Sequence, residues 1–393
     1  MRELRIFLAG DVMTGRGVDQ VLPSPEDPTL HESAVQDARD YVGLAEAANG
    51  PIPRPVDPGW PWGEALSILD AWDPHVRVIN VETSVTTCDD FAPGKAIHYR
   101  MHPGNLECLK VARPDVCVLA NNHVLDFGRT GLAETLESLA GAGLAVAGAG
   151  RNVEEAHRPA EVAVGEARVL VYAVCSDSSG VPATWAAGKR RSGVAFLPDL
   201  SEAAADDLLA RIHESTPPGP DDVVLVSLHA GSNWGYRVPR PHQAFARRLI
   251  DGGVDLVHAH SSHHPRPMEI YRDRLVLYGC GDLINDYEGI GGWDSYRGDL
   301  RLLYLVTLDT DTHALRELRL VPMRARRLTL ERADDTDVRW MHRRLARIER
   351  PFHTAVRAGP DGALIVEPRH ALLGSVRSRI APTSVPPGRV PKA

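Results

Sequence analysis

Five predicted strands of this chain end in side chains that can bind a metal ion or transfer a proton. These residues are Asp11, Glu82, Asn122 with His123, His229, and the histidines His258, His260, His263 and His264. Carboxylate, amide and imidazole groups together suit a hard or borderline divalent ion. No cysteine stands among them, which argues against a structural zinc site. We therefore expect a metal-assisted or acid/base centre.

The elements that must position these residues alternate in type along the chain. Strands are predicted at 4–9, 76–81, 116–120 and 145–147, with helices near 62–72, 104–112 and 132–140. The second half continues in the same way, with strands at 168–174, 223–228, 256–258, 275–278, 302–308, 315–321 and 327–330 and helices near 200–213 and 242–251. Such alternation predicts an α/β fold with a mostly parallel sheet. In such sheets the ligand crevice lies beyond the carboxyl ends of the strands.

Two regions differ from this pattern. Residues 19–60 are rich in proline and predict an insertion or cap with one helix at about 32–48. After residue 330 a basic helix is predicted at 339–350, followed by a Pro- and Arg-rich tail that ends in a mobile segment at 382–393. The predicted organisation is a domain over 1–330 and a C-terminal region over 331–393.

Composition excludes several classes of protein. The net charge is −8 and the isoelectric point is near 6.1, so binding to nucleic acid is not expected. No apolar run is long enough to span a membrane, and the start of the chain lacks the pattern of a signal peptide. The five cysteines have no paired spacing. These features predict a reduced, cytoplasmic protein.

Several motifs resemble the CapA (poly-γ-glutamate capsule synthesis) family, in the order found in that family. They are GDVMTGRGV at 10–18, NVETS at 80–84, ANNHVLDFG at 120–128, HHP at 263–265 and YGCGD at 278–282. The family is similar to the calcineurin-like metallo-dependent phosphatases. The resemblance implies a four-layer α/β/β/α sandwich with metal ligands at the strand ends.

The resemblance also implies roles for individual residues. The implied metal ligands are Asp11, Glu82, Asn122, His229 and His260, His123 is the implied catalytic histidine, and either His263 or His264 completes the last motif. Together with Asp126, a carboxylate that could orient an imidazole, the predicted catalytic groups are His123, Asp11, His260, His264 and Asp126. The first motif reads Asp11-Val12-Met13, where a phosphatase has Asp-x-His, and Glu82 replaces an aspartate. These changes favour one divalent ion (Ca, Mn, Mg or Zn) over a tight pair of metals.

Three functions remain open at this stage. Some soluble CapA-like proteins resemble enzymes that epimerise the C-terminal residue of a lasso-peptide precursor at Cα, and we expect such a peptide epimerase here. Histidine suits this chemistry because its ordinary pKa of about 6.5 lets it take or return a proton near neutrality. A metal-dependent phosphoester or amide hydrolase is the first alternative. A capsule-polymer assembly or binding protein is the second.

Other residues are candidates for binding a peptide substrate. Trp234 and Trp293 offer aromatic surface, and Arg16 and Arg100 offer forked hydrogen-bond donors for a carboxylate. The four lysines are Lys95, Lys110, Lys189 and Lys392. None of them follows a predicted strand, so Schiff-base chemistry is not expected.

Overall fold

The computed structural model describes residues 3–368. The α-helices of this part of the chain are α1 (Arg39–Asn49), α2 (Glu64–Trp72), α3 (Glu107–Lys110), α4 (Gly128–Gly141), α5 (Val153–His157), α6 (Glu202–Ser215), α7 (Arg240–Asp251) and α8 (Asp335–Ile348). Its strands are β1 (Glu3–Val12), β2 (Val76–Val81), β3 (Ser84–Val85), β4 (Arg100–Met101), β5 (Val116–Val118), β6 (Ala145–Ala147), β7 (Ala149–Gly150), β8 (Ala160–Val164), β9 (Ala167–Ser176), β10 (Gly193–Val194), β11 (Phe196–Leu197), β12 (Val223–His229), β13 (Leu256–His260), β14 (Met268–Tyr271), β15 (Arg274–Leu277), β16 (Asp282–Ile284), β17 (Leu300–Asp309), β18 (Leu315–Arg326), β19 (Thr329–Arg332), β20 (Thr354–Ala358) and β21 (Leu364–Pro368).

The larger sheet is parallel on one side of β1 and antiparallel on the other. Its strand order is β20-β21-β18-β17-β1-β2-β5-β6. Strands β1, β2, β5 and β6 are parallel, as the alternating pattern of the first 150 residues predicts. Strands β17, β18, β21 and β20 are antiparallel to their neighbours, so the complete sheet is mixed.

The second sheet has the order β11-β9-β12-β13-β15-β14, with β8 paired to β9. Its central strands are parallel and buried on both faces. Along β9, Val169 and Val171 belong to the core shared with the first sheet, whereas Leu170 and Tyr172 pack with residues of α6 and α7. Because successive strand residues point to opposite faces, this alternation separates an inner and an outer layer.

The layers therefore run helices, sheet, sheet, helices. The common core contains residues of α2 and α4 together with both sheets, and α6 and α7 cover the outer face of the second sheet. This is the four-layer α/β/β/α sandwich that the family resemblance implied, and that prediction is confirmed. Within residues 3–368, every helix is too short or too polar to cross a bilayer.

The insertion differs from the prediction in where its helix begins. Helix α1 starts at Arg39, whereas the sequence pattern placed the start near residue 32. Thr29 pairs with Asp37 in an antiparallel bridge, and the buried side chain of Glu32 bonds to Arg16 and Tyr41. These tertiary contacts hold residues 29–37 in an irregular conformation, so the start near residue 32 was wrong.

The described part of the C-terminal region joins the larger sheet. Strands β21 and β20 extend it beyond β18, and the predicted basic helix is α8, which begins four residues earlier than expected. The predicted tail at 382–393 lies outside the described residues. Short strands such as β8, β14 and β16 were missed, because a few residues carry too little alternation to be recognised.

Candidate active site

The site forms where the strand ends of both sheets meet. Asp11 lies near the end of β1, opposite Asn80 of β2 and Asp282 of β16 in the sheet register. Gly10 permits this arrangement, because a Cβ atom there would lie 1.7 Å from the backbone oxygen of Gly281. The Asp11 amide then donates to that oxygen at 2.9 Å. The close approach of these two segments of the chain brings the carboxylates of Asp11 and Asp282 together.

Asn80 orients two buried carboxylates. Its Nδ2 donates to Asp11 Oδ1 at 2.7 Å and to Glu82 Oε2 at 3.0 Å. Asn121 Nδ2 in turn donates to Asn80 Oδ1 at 3.0 Å, which fixes the orientation of the Asn80 amide. Burial, followed by repulsion from Asp282, raises the pKa of Asp11 to about 7. Burial and the charge of Asp11 raise the pKa of Glu82 well above its ordinary value.

Two histidines from the second sheet face these carboxylates. His229 Nδ1 lies 2.7 Å from His260 Nδ1 and 3.9 Å from Glu82 Oε2. His260 Nδ1 is 3.6 Å from Asp11 Oδ1, and its Nε2 is 2.9 Å from Ser227 Oγ. Burial lowers the pKa of both histidines well below the usual range, and neighbouring histidines lower it further. Both imidazoles are therefore neutral near pH 7, which is the form that binds metals.

The donor atoms form two groups that share one residue. Asp11, His229 and His260 make one group, and Asp11, His263 and Asp282 make the other; within each group the donor atoms lie within 4.8 Å of one another. The pKa values of the buried Asp11 and Glu82 carboxylates stay raised although His263 and Lys95 lower them, so the positive charge of the protein compensates them only in part. A divalent cation would supply the remaining charge, and the oxygen and nitrogen donors fit such an ion.

Two histidine–aspartate pairs stand beside these groups. His123 Nδ1 is 2.6 Å from Asp126 Oδ2, and its Nε2 is 3.9 Å from Glu82 Oε1. On the other side, His263 Nδ1 is 2.9 Å from Asp282 Oδ1. Each carboxylate can orient its imidazole and stabilise the protonated ring.

The two pairs differ in electrostatic environment. Burial lowers the pKa of His123 to about 4, although Asp126 opposes the effect. Burial would also lower the pKa of His263, but the adjacent Asp282 carboxylate raises it above the usual value. Near neutral pH, His123 is thus a neutral proton acceptor and His263 favours its protonated form.

Lys95 is a site residue that the sequence analysis missed. Its ammonium group contacts Asp126 and the backbone oxygen of Asn122, and it lies 2.9 Å from His123 Nδ1. Lys95 follows no predicted strand, and the sequence analysis therefore placed no lysine at the strand ends. That expectation was wrong, because the loop between β3 and β4 returns over the end of β5. No spacing in the sequence signals this contact.

The structure places the remaining candidate residues in different surroundings. Asn122 Oδ1 is 2.9 Å from His229 Nε2, at the edge of the ligand groups. His264 lies outside them, with Nδ1 facing the Pro265 oxygen and its ring stacked on Tyr296 at 4.5 Å. His263, which the sequence left as an alternative to His264, takes the position beside Asp11.

A cavity of about 750 Å³ opens beside His263 and Asp282. Trp234 and Trp293 both line it, stacked with their ring centres 4.3 Å apart. Their position fits the expected role in substrate binding. The wall is aromatic and partly open to solvent, with Trp293 49% exposed.

The two candidate arginines are already engaged by protein carboxylates. Arg16 is buried and bonds to Asp286 and Glu32. Arg100 bonds to Asp89 and to the backbone oxygen of Cys88, and its guanidinium lies over Phe127. In this structure Arg16 connects the insertion to the loop that follows β16, and Arg100 anchors the loop before β4.

The class of protein follows from this fold and site: a four-layer α/β/β/α sandwich with a buried Asp, Glu and His centre suited to a divalent ion. Residues 5–287 match the family described as bacterial capsule synthesis protein PGA_cap, and the chain belongs to that family. The resemblance to CapA is thereby confirmed.

Two relatives by sequence agree with this assignment. The chain is 50% identical over 365 residues to a probable polyglutamine synthesis accessory protein of Mycobacterium tuberculosis, covering 92% of this chain and 96% of that protein. It is 27% identical over 201 residues to the capsule biosynthesis protein CapA of Bacillus anthracis, covering 51% and 46% of the two chains. A solved phosphatase from Mycoplasma pneumoniae aligns at 12% identity and a TM-score of 0.42, covering 86% and 97%. The fold assignment rests on this chain's own strand order and layers.

Proposed function

We propose that this protein is a metal-assisted acid/base enzyme that acts on a polypeptide chain and inverts a residue at its Cα. The observation that carries the proposal is the pair of histidine–aspartate dyads, His123–Asp126 and His263–Asp282, on two sides of the Asp11–Glu82 carboxylates. Inversion requires one group to remove the Cα proton and another to return a proton to the opposite face. Two titratable groups whose surroundings shift their pKa values in opposite directions are suited to act as the base and the acid of such a reaction.

His123 is the proton acceptor in this proposal. Its pKa is lowered to about 4, so it is unprotonated at neutral pH, and Asp126 stabilises the imidazolium that forms. His263 is the proton donor, because the adjacent Asp282 carboxylate raises its pKa and so favours the protonated ring. After one turnover the protons are exchanged between the two dyads, and solvent restores the starting state.

The other residues of the site hold the centre and wall the cavity. Asp11, Glu82, His229, His260 and Asn122 would hold the divalent ion, whose charge when bound would stabilise negative charge on a substrate carbonyl oxygen. Asn80 keeps the two carboxylates in place. Trp234 and Trp293 wall the cavity in which the reacting residue would lie.

The named relatives are consistent with a polypeptide-type substrate. Two of them are described by polyglutamine synthesis and capsule biosynthesis, which concern polymers or their assembly. A ribosomal precursor peptide of the lasso type is the specific substrate that we propose.

Hydrolysis of an amide or phosphoester bond is the second candidate. It is favoured by the two donor groups that share Asp11, since paired metal sites with a shared ligand activate water for displacement. The two reactions differ in their products, because hydrolysis separates the substrate into two pieces and epimerisation leaves it intact.

Incubation in D2O with the peptides encoded beside the gene distinguishes the two reactions. We expect a mass gain of about one unit without cleavage, in the presence of divalent metal, as proton exchange at carbon requires. His123→Gln and His263→Gln should abolish the gain. His213→Gln, which changes an exposed histidine on α6, is the matched control and should retain it. Cleavage or phosphate release would replace the epimerase proposal with the hydrolase.

A further inference from the structure

Four arginines without acidic partners converge on one groove away from the candidate active site. Arg240 is the first residue of α7 and Arg237 lies three positions before it, and Arg344 and Arg347 lie on α8. Within residues 3–368, no carboxylate oxygen lies within 4.0 Å of these four guanidinium groups. By contrast, Arg247 and Arg248 of α7 pair with Glu269 and Asp206.

The lack of counter-charges is notable in a chain with a net charge of −8. The groove measures about 540 Å³, and neither Asp nor Glu lines it among the described residues. Its apolar surface comes from Val238, Ile348 and Phe352. An uncompensated cluster of guanidinium groups raises the local concentration of anions. Their planar forks match carboxylate oxygens in a two-bond geometry.

A row of aromatic rings in contact links the groove to the wall of the cavity beside His263. Tyr236 lines the groove, and its ring centre is 5.2 Å from that of Tyr296. Tyr296 lies 5.0 Å from Trp234, and Trp234 lies 5.4 Å from His263. Arg344 adds to this connection, since it lies over Tyr236 and bonds to the Ser295 oxygen at 3.3 Å. An extended chain could therefore occupy both places at once.

The geometry points to this arginine groove, formed by Arg237, Arg240, Arg344 and Arg347, as a docking site for a polypeptide that carries several carboxylates. Charge complementarity selects the occupant, and the apolar floor accommodates the methylene groups of acidic side chains. Residues 369–393 of this chain lack the complementary charge, because their sequence contains no Asp or Glu and several Arg. This inference extends the proposed function, since the groove would hold the part of a substrate that lies outside the catalytic cavity.

Fluorescence anisotropy tests the groove without any turnover. The probes are labelled oligoglutamates of about ten residues, one with α-linked and one with γ-linked amides, and an oligoglutamine of the same length as the neutral control. We expect the α-linked probe to bind at about 50 mM NaCl, to weaken at about 300 mM, and to bind more tightly than both oligoglutamine and the γ-linked probe. The γ-linked probe carries the same number of carboxylates on a different backbone, so it separates an acidic peptide from a γ-linked polymer as the occupant.

Variants locate the binding. Arg344→Glu/Arg347→Glu and, separately, Arg237→Glu/Arg240→Glu should each weaken binding at least about tenfold. The matched control Arg190→Glu/Arg191→Glu makes the same charge change at two exposed arginines and should alter binding by less than about twofold. The Arg237→Glu/Arg240→Glu variant keeps the test decisive if the loss of the Arg344 contacts disturbs folding in the other variant.

Three outcomes would overturn the inference. They are equal binding of oligoglutamine, equal weakening in the Arg190/Arg191 control, and tighter binding of an oligonucleotide that the groove variants abolish. None of these outcomes bears on proton exchange at Cα. Conversely, an absence of deuterium uptake would leave binding in the groove unchanged, so the two proposals fail separately.

Discussion

His229 and His260 are direct register partners on the adjacent parallel strands β12 and β13, and their Nδ1 atoms lie 2.7 Å apart. Both Nδ1 atoms face the carboxylates of the opposite sheet, since that of His229 is 3.9 Å from Glu82 Oε2 and that of His260 is 3.6 Å from Asp11 Oδ1. The strand register therefore creates half of the candidate metal site before any loop contributes. The other half comes from β1 and the end of β2 in the opposite sheet.

Removal of either histidine should abolish tight metal binding. For His229→Ala or His260→Ala we expect the affinity for Zn or Mn to fall at least about 100-fold, because a direct ligand is lost. Isothermal titration calorimetry measures the change. His213→Ala serves as the control, since its ring is exposed on α6. Unchanged affinity in both site variants would exclude this ligand set.

Metal binding should release protons and strengthen as the pH rises. The pKa of Asp11 is raised to about 7 and that of Glu82 is raised well above its ordinary value, so the metal-free site retains carboxyl protons near neutral pH. A metal ion requires the deprotonated forms. The affinity should therefore increase between about pH 6 and pH 8. Calorimetry in two buffers with different ionisation enthalpies counts the protons released, and a count of zero would contradict the prediction.

Lys95→Met should raise the pKa of His123. Burial is the main cause of the low pKa, and the nearby ammonium group lowers it further. Without that charge the pKa of His123 should rise from about 4 toward its ordinary value. As the pH is lowered, an activity that needs neutral His123 would then begin to decline at a higher pH than in the wild type. NMR titration of the histidine Cε1 protons measures this directly. Lys110→Met, which removes an exposed lysine, should leave the His123 titration unchanged.

Glu349→Gln should stabilise the protein at alkaline pH. Burial raises the pKa of Glu349 to about 8, although Thr354 and the Met268 amide bond to its carboxyl group. Because the folded-state pKa is raised, stability is fully present below the unfolded pKa of about 4.5 and is lost as the pH rises through about 8, by at most about 1.4 kcal/mol per pH unit. Glutamine remains neutral and can still accept from Met268. Urea unfolding at several pH values should show an advantage for the variant that grows from about pH 5 to pH 8, and a constant difference would exclude this role.

Arg16→Met tests whether this arginine is structural. The substitution leaves the buried carboxylates of Asp286 and Glu32 without their cation, and we expect a loss of about 3–5 kcal/mol in the free energy of unfolding. Arg16→Met/Asp286→Asn should recover part of that loss. Arg151→Met removes only exposed ion pairs and should cost less than about 1 kcal/mol. Stability equal to that of the wild type in Arg16→Met would favour the role in substrate binding expected from the sequence.

The sequence by itself determined the α/β class of the fold and most of the chemical groups at the site, and the family resemblance of its motifs implied the four layers. Apolar runs such as 76–81 have the length and burial pattern of sheet strands, and the polar residue that follows each run must lie at the carboxyl end. The motifs around Asp11, Glu82 and His123 also identified the family. These are local properties, carried by residues close together in the chain.

Only the tertiary structure decided which groups act together. The choice of His263 over His264 depends on the backbone path after β13, which sends one ring toward Asp11 and the other toward Tyr296. Lys95 reaches His123 through a loop return, and Arg16 meets Asp286 across 270 positions of the chain. Such pairings depend on loop paths between distant segments, and neither residue spacing nor periodicity records them. The same physical reason explains the late start of α1, where the contacts of Glu32 with Arg16 and Tyr41 override the local preference for a helix.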